Sequence, residues 1–249
     1  MQVVIDKLLI NYQAAGKGPV VILVHGWGDD LINFDKLQKT LAKHYRVVSL
    51  DLPGFGKSTT PNIGWSLDDF SKFLADFVHK LDLNVYCYVG HSNGGAILIN
   101  GLAGKHLKSD KLILIASAGI RGTEQFKKKA ILVGAKLGKL PLKLLPTDYQ
   151  LELKKRLYKV IKSDAGVNPQ MLETFKKIVR QDVTKDASKL KLPTLIVYGR
   201  EDKVTPPEYG LIYHKLIDGS KLELVNGAGH FVHLQKPDQV DGLIEGFLE

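Results

Sequence analysis

The sequence is poor in cysteine. Among 249 residues only Cys87 carries a thiol, which excludes an internal disulfide and any multi-thiolate metal site. One thiol fits a reducing compartment. No run of 18 or more apolar residues occurs, so no transmembrane helix is expected. The stretch Met1–Asp6 has neither the basic start nor the apolar centre of a secretion signal. Cytoplasmic residence is the resulting expectation. Phosphate-binding signatures are also missing. There is no G-x-x-x-x-G-K-[ST] loop and no G-x-G-x-x-G turn, and Gly54-Phe55-Gly56-Lys57-Ser58 lacks the first glycine at the required spacing. The eight histidines are scattered and no H-E-x-x-H helix exists, so neither metal nor cofactor is expected.

What is present is an ordinary globular composition, 44% hydrophobic and 24% charged, with a net charge of +9. That charge is confined. Residues 120–191 hold 18 basic against 7 acidic side chains, and the remainder holds 17 against 19. All the excess positive charge therefore belongs to one internal segment.

Short apolar runs alternate with longer amphipathic ones, the rhythm of βα units around a mostly parallel sheet flanked by helices. Strands are expected at Val20–Val24, Arg46–Leu50, Val85–Val89, Lys111–Ile115, Thr194–Tyr198 and Lys221–Val225, and Met1–Asp6 reads as a first strand. Helical spacing covers Phe34–His44, Leu67–Leu81, Asn93–His106, Pro207–Ile217 and Pro237–Leu248. Within Leu67–Leu81, the residues Leu67, Phe70, Leu74, Phe77, Val78 and Leu81 share one face. The rhythm stops near Ile120 and resumes near Leu192. Between them lie lysine-rich helical stretches near 123–140, 149–161 and 168–182. The expected organisation is an α/β core from 1–119 and 190–249, interrupted by a helical cap at 120–189.

The sharpest local signal is Gly90-His91-Ser92-Asn93-Gly94-Gly95, placed after a strand and before a helix. A tight strand-to-helix turn can hold a serine in a strained conformation with its hydroxyl presented, provided glycines such as Gly90 and Gly94 make room. The helix that follows adds backbone N–H donors and a positive dipole end. A serine hydroxyl needs an adjacent base to act as a nucleophile.

Four further motifs accompany the elbow. They are His25-Gly26-Trp27-Gly28, Asp51-Leu52-Pro53-Gly54-Phe55-Gly56-Lys57-Ser58, Gly199-Arg200-Glu201-Asp202-Lys203-Val204-Thr205-Pro206 and Gly227-Ala228-Gly229-His230. Together they resemble the α/β-hydrolase family over nearly the whole chain, each in the family's order and each just beyond a strand's carboxyl end. The resemblance implies Ser92 as nucleophile, His230 as base and Asp202 as the carboxylate orienting it. It also implies an oxyanion hole from the backbone N–H groups of Trp27 and Asn93. Plainer readings stand beside these. Ser92 could be a helix cap, His230 a core histidine, and Asp202 a turn residue or a partner of Arg200 or Lys203, with Glu201 as an alternative carboxylate. His25 is expected to shape its loop, and His91 and His233 to be structural or pocket-lining. Cys87 is expected to be an inert buried thiol, and Asp51 to stabilise a turn.

Serine at the elbow separates this chain from fold relatives that use aspartate there. The loops around Trp27 and Phe55 are most similar to small carboxylesterases of the pimeloyl-acyl-carrier-protein methyl esterase kind, although His91 and Asn93 replace the Trp and Leu of that elbow. The implied activity is cleavage of carboxylic esters or thioesters. Alternatives are C–C bond hydrolysis of the meta-cleavage type, or a non-catalytic ligand receptor, because fold does not prove activity. The lysine clusters at Lys127–Lys129, Lys154–Arg156 and Lys176–Lys177 suggest docking of an acidic carrier protein or an anionic substrate. A solvated face whose lysine stems cover apolar surface is the plainer alternative. Nothing resembles a nucleic-acid-binding motif.

Overall fold

A computed structural model describes residues 1–121, 162–163, 166–167 and 169–249. Ten strands occur among them: β1 (Gln2–Ile5), β2 (Leu8–Ala15), β3 (Val20–Val24), β4 (Arg46–Leu50), β5 (Val85–His91), β6 (Lys111–Ile115), β7 (Lys162–Ser163), β8 (Gly166–Val167), β9 (Thr194–Gly199) and β10 (Lys221–Val225). Eight of them form one sheet in the order β1-β2-β4-β3-β5-β6-β9-β10. From β4 to β10 every pairing is parallel, while β1 and β2 join antiparallel at one edge. β7 and β8 pair only with each other, antiparallel.

Successive side chains of a strand point to opposite faces, and the two apolar clusters follow that alternation. Ile22, Val24, Val48, Leu50, Tyr88, Leu112, Leu114, Ile196 and Tyr198 face one way. Val21, Leu23, Val47, Cys87, Val89, Ile113, Ile115, Leu195 and Val197 face the other. The first face is covered by α2 (Leu67–Lys80), α3 (Asn93–Ala103) and α6 (Pro207–Leu216). The second is covered by α1 (Asp35–Leu41) and α8 (Pro237–Leu248). Helices on both sides are what a parallel sheet requires, since neither face is polar enough for water.

The helix signals act as sequence physics prescribes. Ser66 caps α2, accepting from the Asp69 N–H at 3.2 Å while Asp69 accepts the Ser66 N–H at 2.8 Å. Leu67, Phe70, Leu74 and Phe77 are buried as their spacing predicts, and Phe73 widens that stripe. α1 is shorter than expected at both ends: a 3-10 turn over Leu31–Phe34, capped by Asp30, takes up Phe34, and the chain turns off the helix after Leu41, whose carbonyl accepts the N–H groups of His44 and Tyr45.

Of the expected cap, the stretches 123–140 and 149–161 lie outside the described residues. The third expected helix is present as α4 (Pro169–Ile178), followed by α5 (Thr184–Ala187). The Arg121 N–H donates to Asp182 at 2.7 Å and the Val183 N–H to the Gly119 carbonyl at 2.8 Å. The chain therefore leaves the core and returns to it side by side. α4 packs back on the core: Trp65 N–H donates to Thr174 at 2.8 Å, and Lys177 donates to the Gly64 carbonyl at 2.7 Å. Among the described residues, no helix is long and apolar enough to cross a membrane.

Candidate active site

Ser92 joins β5 to α3 with φ 53° and ψ −116°. This is a left-handed backbone conformation that L-residues rarely adopt, and such strain costs about 1–3 kcal/mol. It persists because the surroundings over-determine it. The Ser92 N–H donates to the Ile115 carbonyl at 2.9 Å, and the Ser92 carbonyl accepts from Ala118 at 2.9 Å and Gly95 at 3.1 Å. Glycine is needed on either side. A Cβ at Gly94 would lie 2.2 Å from the Val24 carbonyl oxygen, and one at Gly90 would lie 2.7 Å from the Gly95 backbone.

His230 Nε2 lies 3.0 Å from Ser92 Oγ, and His230 Nδ1 lies 2.9 Å from Asp202 Oδ2. An ionised carboxylate can only accept, so Nδ1 carries the ring proton and Nε2 faces the serine with its lone pair. That tautomer can take the proton of the Ser92 hydroxyl. All three side chains are buried, with Asp202 only 3% exposed.

Asp202 is held on both oxygens. Oδ1 accepts the N–H groups of Val204 at 2.7 Å and Thr205 at 3.0 Å. Oδ2 receives the Thr205 hydroxyl at 2.8 Å in addition to His230. Four donors meet four acceptor sites, so this buried side chain is fully hydrogen-bonded and held in one orientation. Glu201 is committed elsewhere. Its carboxylate accepts the N–H groups of Gly227 at 3.2 Å and Ala228 at 2.8 Å, and these bonds hold it below the usual carboxylate range. It braces the loop that carries His230.

The His25–Gly28 loop lies against the elbow, for a Cβ at Gly26 would sit 3.0 Å from the Cβ of Ser92. Trp27 follows directly. Asn93 opens α3, so its N–H has no partner within the helix. Both residues singled out in the sequence as backbone donors are therefore close to Ser92 along the chain or through Gly26. Their side chains add an unforeseen feature: Trp27 Nε1 and Asn93 Nδ2 are buried donors without a hydrogen-bond partner among the described residues. The Trp27 ring packs edge-on against Phe55, with centroids 5.0 Å apart, and lies 5.2 Å from Phe175 of α4. Two loops and α4 thus contribute to one aromatic cluster that includes the residue following Gly26.

His25 and Asp51 hold this arrangement from below. His25 Nε2 accepts the Leu52 N–H at 2.9 Å, so its Nδ1 donates to the Gly26 carbonyl at 2.8 Å. Burial keeps its pKa below the ordinary imidazole value. Asp51 accepts the N–H groups of Leu31 and Lys57 and the Asn11 amide, each at 2.8 Å. Cys87 is fully buried in the sheet, and desolvation raises its pKa, so the thiolate is disfavoured. Among the described residues no cluster of histidine, cysteine, aspartate and glutamate could hold a metal ion.

Sequence reasoning missed Thr205 and gave His91 only a structural or pocket-lining role. Thr205 touches both Asp202 and His230, and His91 reaches the His230 backbone. Thr205 lies within the Gly199–Pro206 motif, but only its closeness to Asp202 hinted at a role.

Comparison with known proteins bears on the family and the fold. A family model described as the alpha/beta hydrolase family matches residues 21–242. The 2-hydroxy-6-oxo-6-(2'-aminophenyl)hexa-2,4-dienoic acid hydrolase of Metapseudomonas resinovorans is 28% identical over 267 residues, spanning 96% of this chain and 87% of that protein. Among solved structures, a serine hydrolase involved in carbazole degradation is 26% identical, with a TM-score of 0.76 and coverage of 97% and 95% of the two chains. An esterase from Exiguobacterium antarcticum has a TM-score of 0.78 at 22% identity, covering 98% and 97%, a likeness of fold.

Proposed function

The chain belongs to the α/β-hydrolase family, and on that footing we propose that it hydrolyses carboxylic esters or thioesters through an acyl-enzyme on Ser92. Ser92 Oγ attacks the carbonyl carbon as His230 Nε2 takes the hydroxyl proton. The carbonyl oxygen becomes an oxyanion, received by the N–H groups of Trp27 and Asn93. Collapse expels the alcohol or thiol, which takes the proton from Nε2. Water then repeats the sequence on the acyl-enzyme and releases the acid. Asp202 keeps the imidazole in its productive tautomer and stabilises the imidazolium.

The observation that carries this reading is the unbroken hydrogen-bonded path from Asp202 through His230 to Ser92, ending on a serine held at φ 53°. The aromatic cluster of Trp27, Phe55 and Phe175 suits an apolar acyl or alcohol group.

The Metapseudomonas relative favours a second reading. The acid in its name has no ester bond, so its hydrolysis adds water at the 6-oxo carbon and breaks a C–C bond. The same base and oxyanion donors would serve, with the departing carbon taking the bonding electron pair and the proton held on His230 Nε2.

A p-nitrophenyl ester series of increasing acyl length, with thioesters and vinylogous 1,5-diketo acids in parallel, tests both readings. Ser92→Ala should abolish turnover of the preferred class by roughly 10⁴-fold or more. Turnover of the diketo acids alone would replace ester cleavage by the second reading. No turnover on any of the three would favour a receptor role and overturn both.

A further inference from the structure

Thr205 sits where one hydroxyl meets three polar groups. Its Oγ1 lies 2.8 Å from Asp202 Oδ2, 2.9 Å from the Ala116 carbonyl oxygen and 3.1 Å from His230 Nδ1. The residue is 4% exposed, so water does not compete for these contacts. Its backbone N–H is bound to the other oxygen of the same carboxylate. A hydroxyl has one proton to give. His230 Nδ1 already carries its own proton, so towards the imidazole Oγ1 can only accept. The hydroxyl proton therefore goes to Asp202 Oδ2 or to the Ala116 carbonyl. The carboxylate is both the nearer acceptor and the charged one, and charge-assisted bonds are about twice as strong as neutral ones.

We propose that Thr205 is a positioning residue that sets the basicity of His230, by donating its hydroxyl proton to the same Asp202 oxygen that receives the imidazole N–H. This rests on the reading of His230 as the base. Two donors on one oxygen disperse its charge, and each weakens that oxygen as an acceptor for the other. With Thr205 in place, Asp202 orients His230 without binding the imidazolium so tightly that the ring stays protonated at neutral pH. Loss of the hydroxyl concentrates the carboxylate charge on the Nδ1–H, and the imidazolium persists to higher pH. Loss of Oγ1 as a neutral acceptor of the same N–H acts in the opposite direction, but at 3.1 Å and without charge it is the smaller effect.

Other groups near the ring are untouched by a change at Thr205. Ser92 bonds Nε2, and the His91 ring lies 4.8 Å away, with Asp29 3.6 Å beyond its Nδ1 and the His233 ring 4.6 Å from it. Asp202 is the carboxylate in direct contact.

The test is an NMR titration of the His230 ring in the full-length protein, assigned by comparison with His230→Asn, alongside the acid limb of kcat/KM. Thr205→Val keeps the branched shape and removes the hydroxyl, whereas Thr205→Ser keeps the hydroxyl. One hydrogen bond of about 0.5–1.5 kcal/mol corresponds to roughly half to one pH unit. Thr205→Val should move the His230 midpoint and the acid limb upward by that amount, and Thr205→Ser should restore both. Should the valine variant not fold, Thr205→Ala carries the same expectation. An unmoved midpoint in a folded hydroxyl-free variant, or a serine variant shifted as far as the valine one, would overturn the proposal. The first result would place the hydroxyl proton on the Ala116 carbonyl, and the second would trace the shift to side-chain shape. The titration needs no substrate, so it remains informative even if Ser92→Ala retains turnover, a result that would defeat the functional reading alone.

Discussion

His91 Nε2 lies 3.0 Å from the backbone carbonyl oxygen of His230. A carbonyl only accepts, so His91 donates there and ties the residue preceding the elbow serine to the residue that bonds the serine hydroxyl. The ring is 1% exposed and wedged between the His230 and His233 rings. This bond fixes the depth at which the His230 loop sits over Ser92.

Replacing that donor should loosen the loop without dismantling the fold. His91→Leu is expected to lower kcat by about 3- to 10-fold, the equivalent of one net hydrogen bond. His91→Gln, whose amide can still donate at similar reach, should recover most of it. Steady-state kinetics on the substrate found in the screen would check this, and equal losses in both variants would refute it.

The two neighbouring carboxylates should separate cleanly. In Asp202→Asn the one remaining oxygen is claimed by the Val204 and Thr205 N–H groups, so the amide nitrogen faces His230 and favours the wrong tautomer, and a loss of roughly 10⁴ in kcat is expected. Glu201→Gln keeps an oxygen for the Ala228 N–H, so its loss should stay below about tenfold, in line with one weakened hydrogen bond. Comparable losses from the two would show that the wrong carboxylate has been assigned to the imidazole.

Gly94→Ala should fail for a steric reason. Its Cβ would stand 2.2 Å from the Val24 carbonyl oxygen, and backbone at the end of β3 cannot swing aside as a side chain would. Overpacking ordinarily costs about 1–3 kcal/mol, and this site should reach or exceed the upper end. Urea denaturation would read it as a lower midpoint with an unchanged slope. An unaltered midpoint would contradict the packing described for the elbow.

His25 makes stability depend on pH. Its folded pKa lies below the ordinary imidazole value because burial disfavours the charged ring. Below about pH 6.5 the unfolded chain takes up a proton that the folded chain refuses, so the unfolded state is favoured as pH falls. Stability should drop from about pH 6.5 downward, by at most about 1.4 kcal/mol per pH unit for this one group, until the folded pKa is reached. His25→Asn, which cannot ionise and keeps a donor for Gly26, should show a shallower acid-side slope of melting temperature. Identical slopes would assign the acid sensitivity elsewhere.

The central strands were legible because burial on both faces makes them continuous apolar runs, and Val20–Val24 or Lys111–Ile115 could be read to the residue. β2 was not read as a strand. Its sequence, LLINYQAA, mixes polar and apolar positions because it is a half-exposed strand near the sheet edge with only Ile10 fully buried. The elbow was legible for a local reason: a serine on a tight strand-to-helix turn demands its glycines nearby in sequence. Thr205 is not legible as a site residue, and His91 is legible only as structural or pocket-lining. Both lie beside recognised motifs, yet their importance depends on which atom a hydroxyl or ring nitrogen meets across the fold.

The sequence by itself determined the central strands and the helices that cover them, the strained serine turn and the kinds of side chain available to the site, because these depend on spacing and on chemistry within a few residues. Tertiary structure decided the rest. Ser92 and His230 are separated by 138 positions and His230 and Asp202 by 28, and no local periodicity brings their atoms to 3.0 and 2.9 Å. Parallel strands do so by delivering each following loop to the same edge of the sheet. Packing of those loops then selects Asp202 over Glu201 and gives the Thr205 hydroxyl and the His91 ring the partners they have.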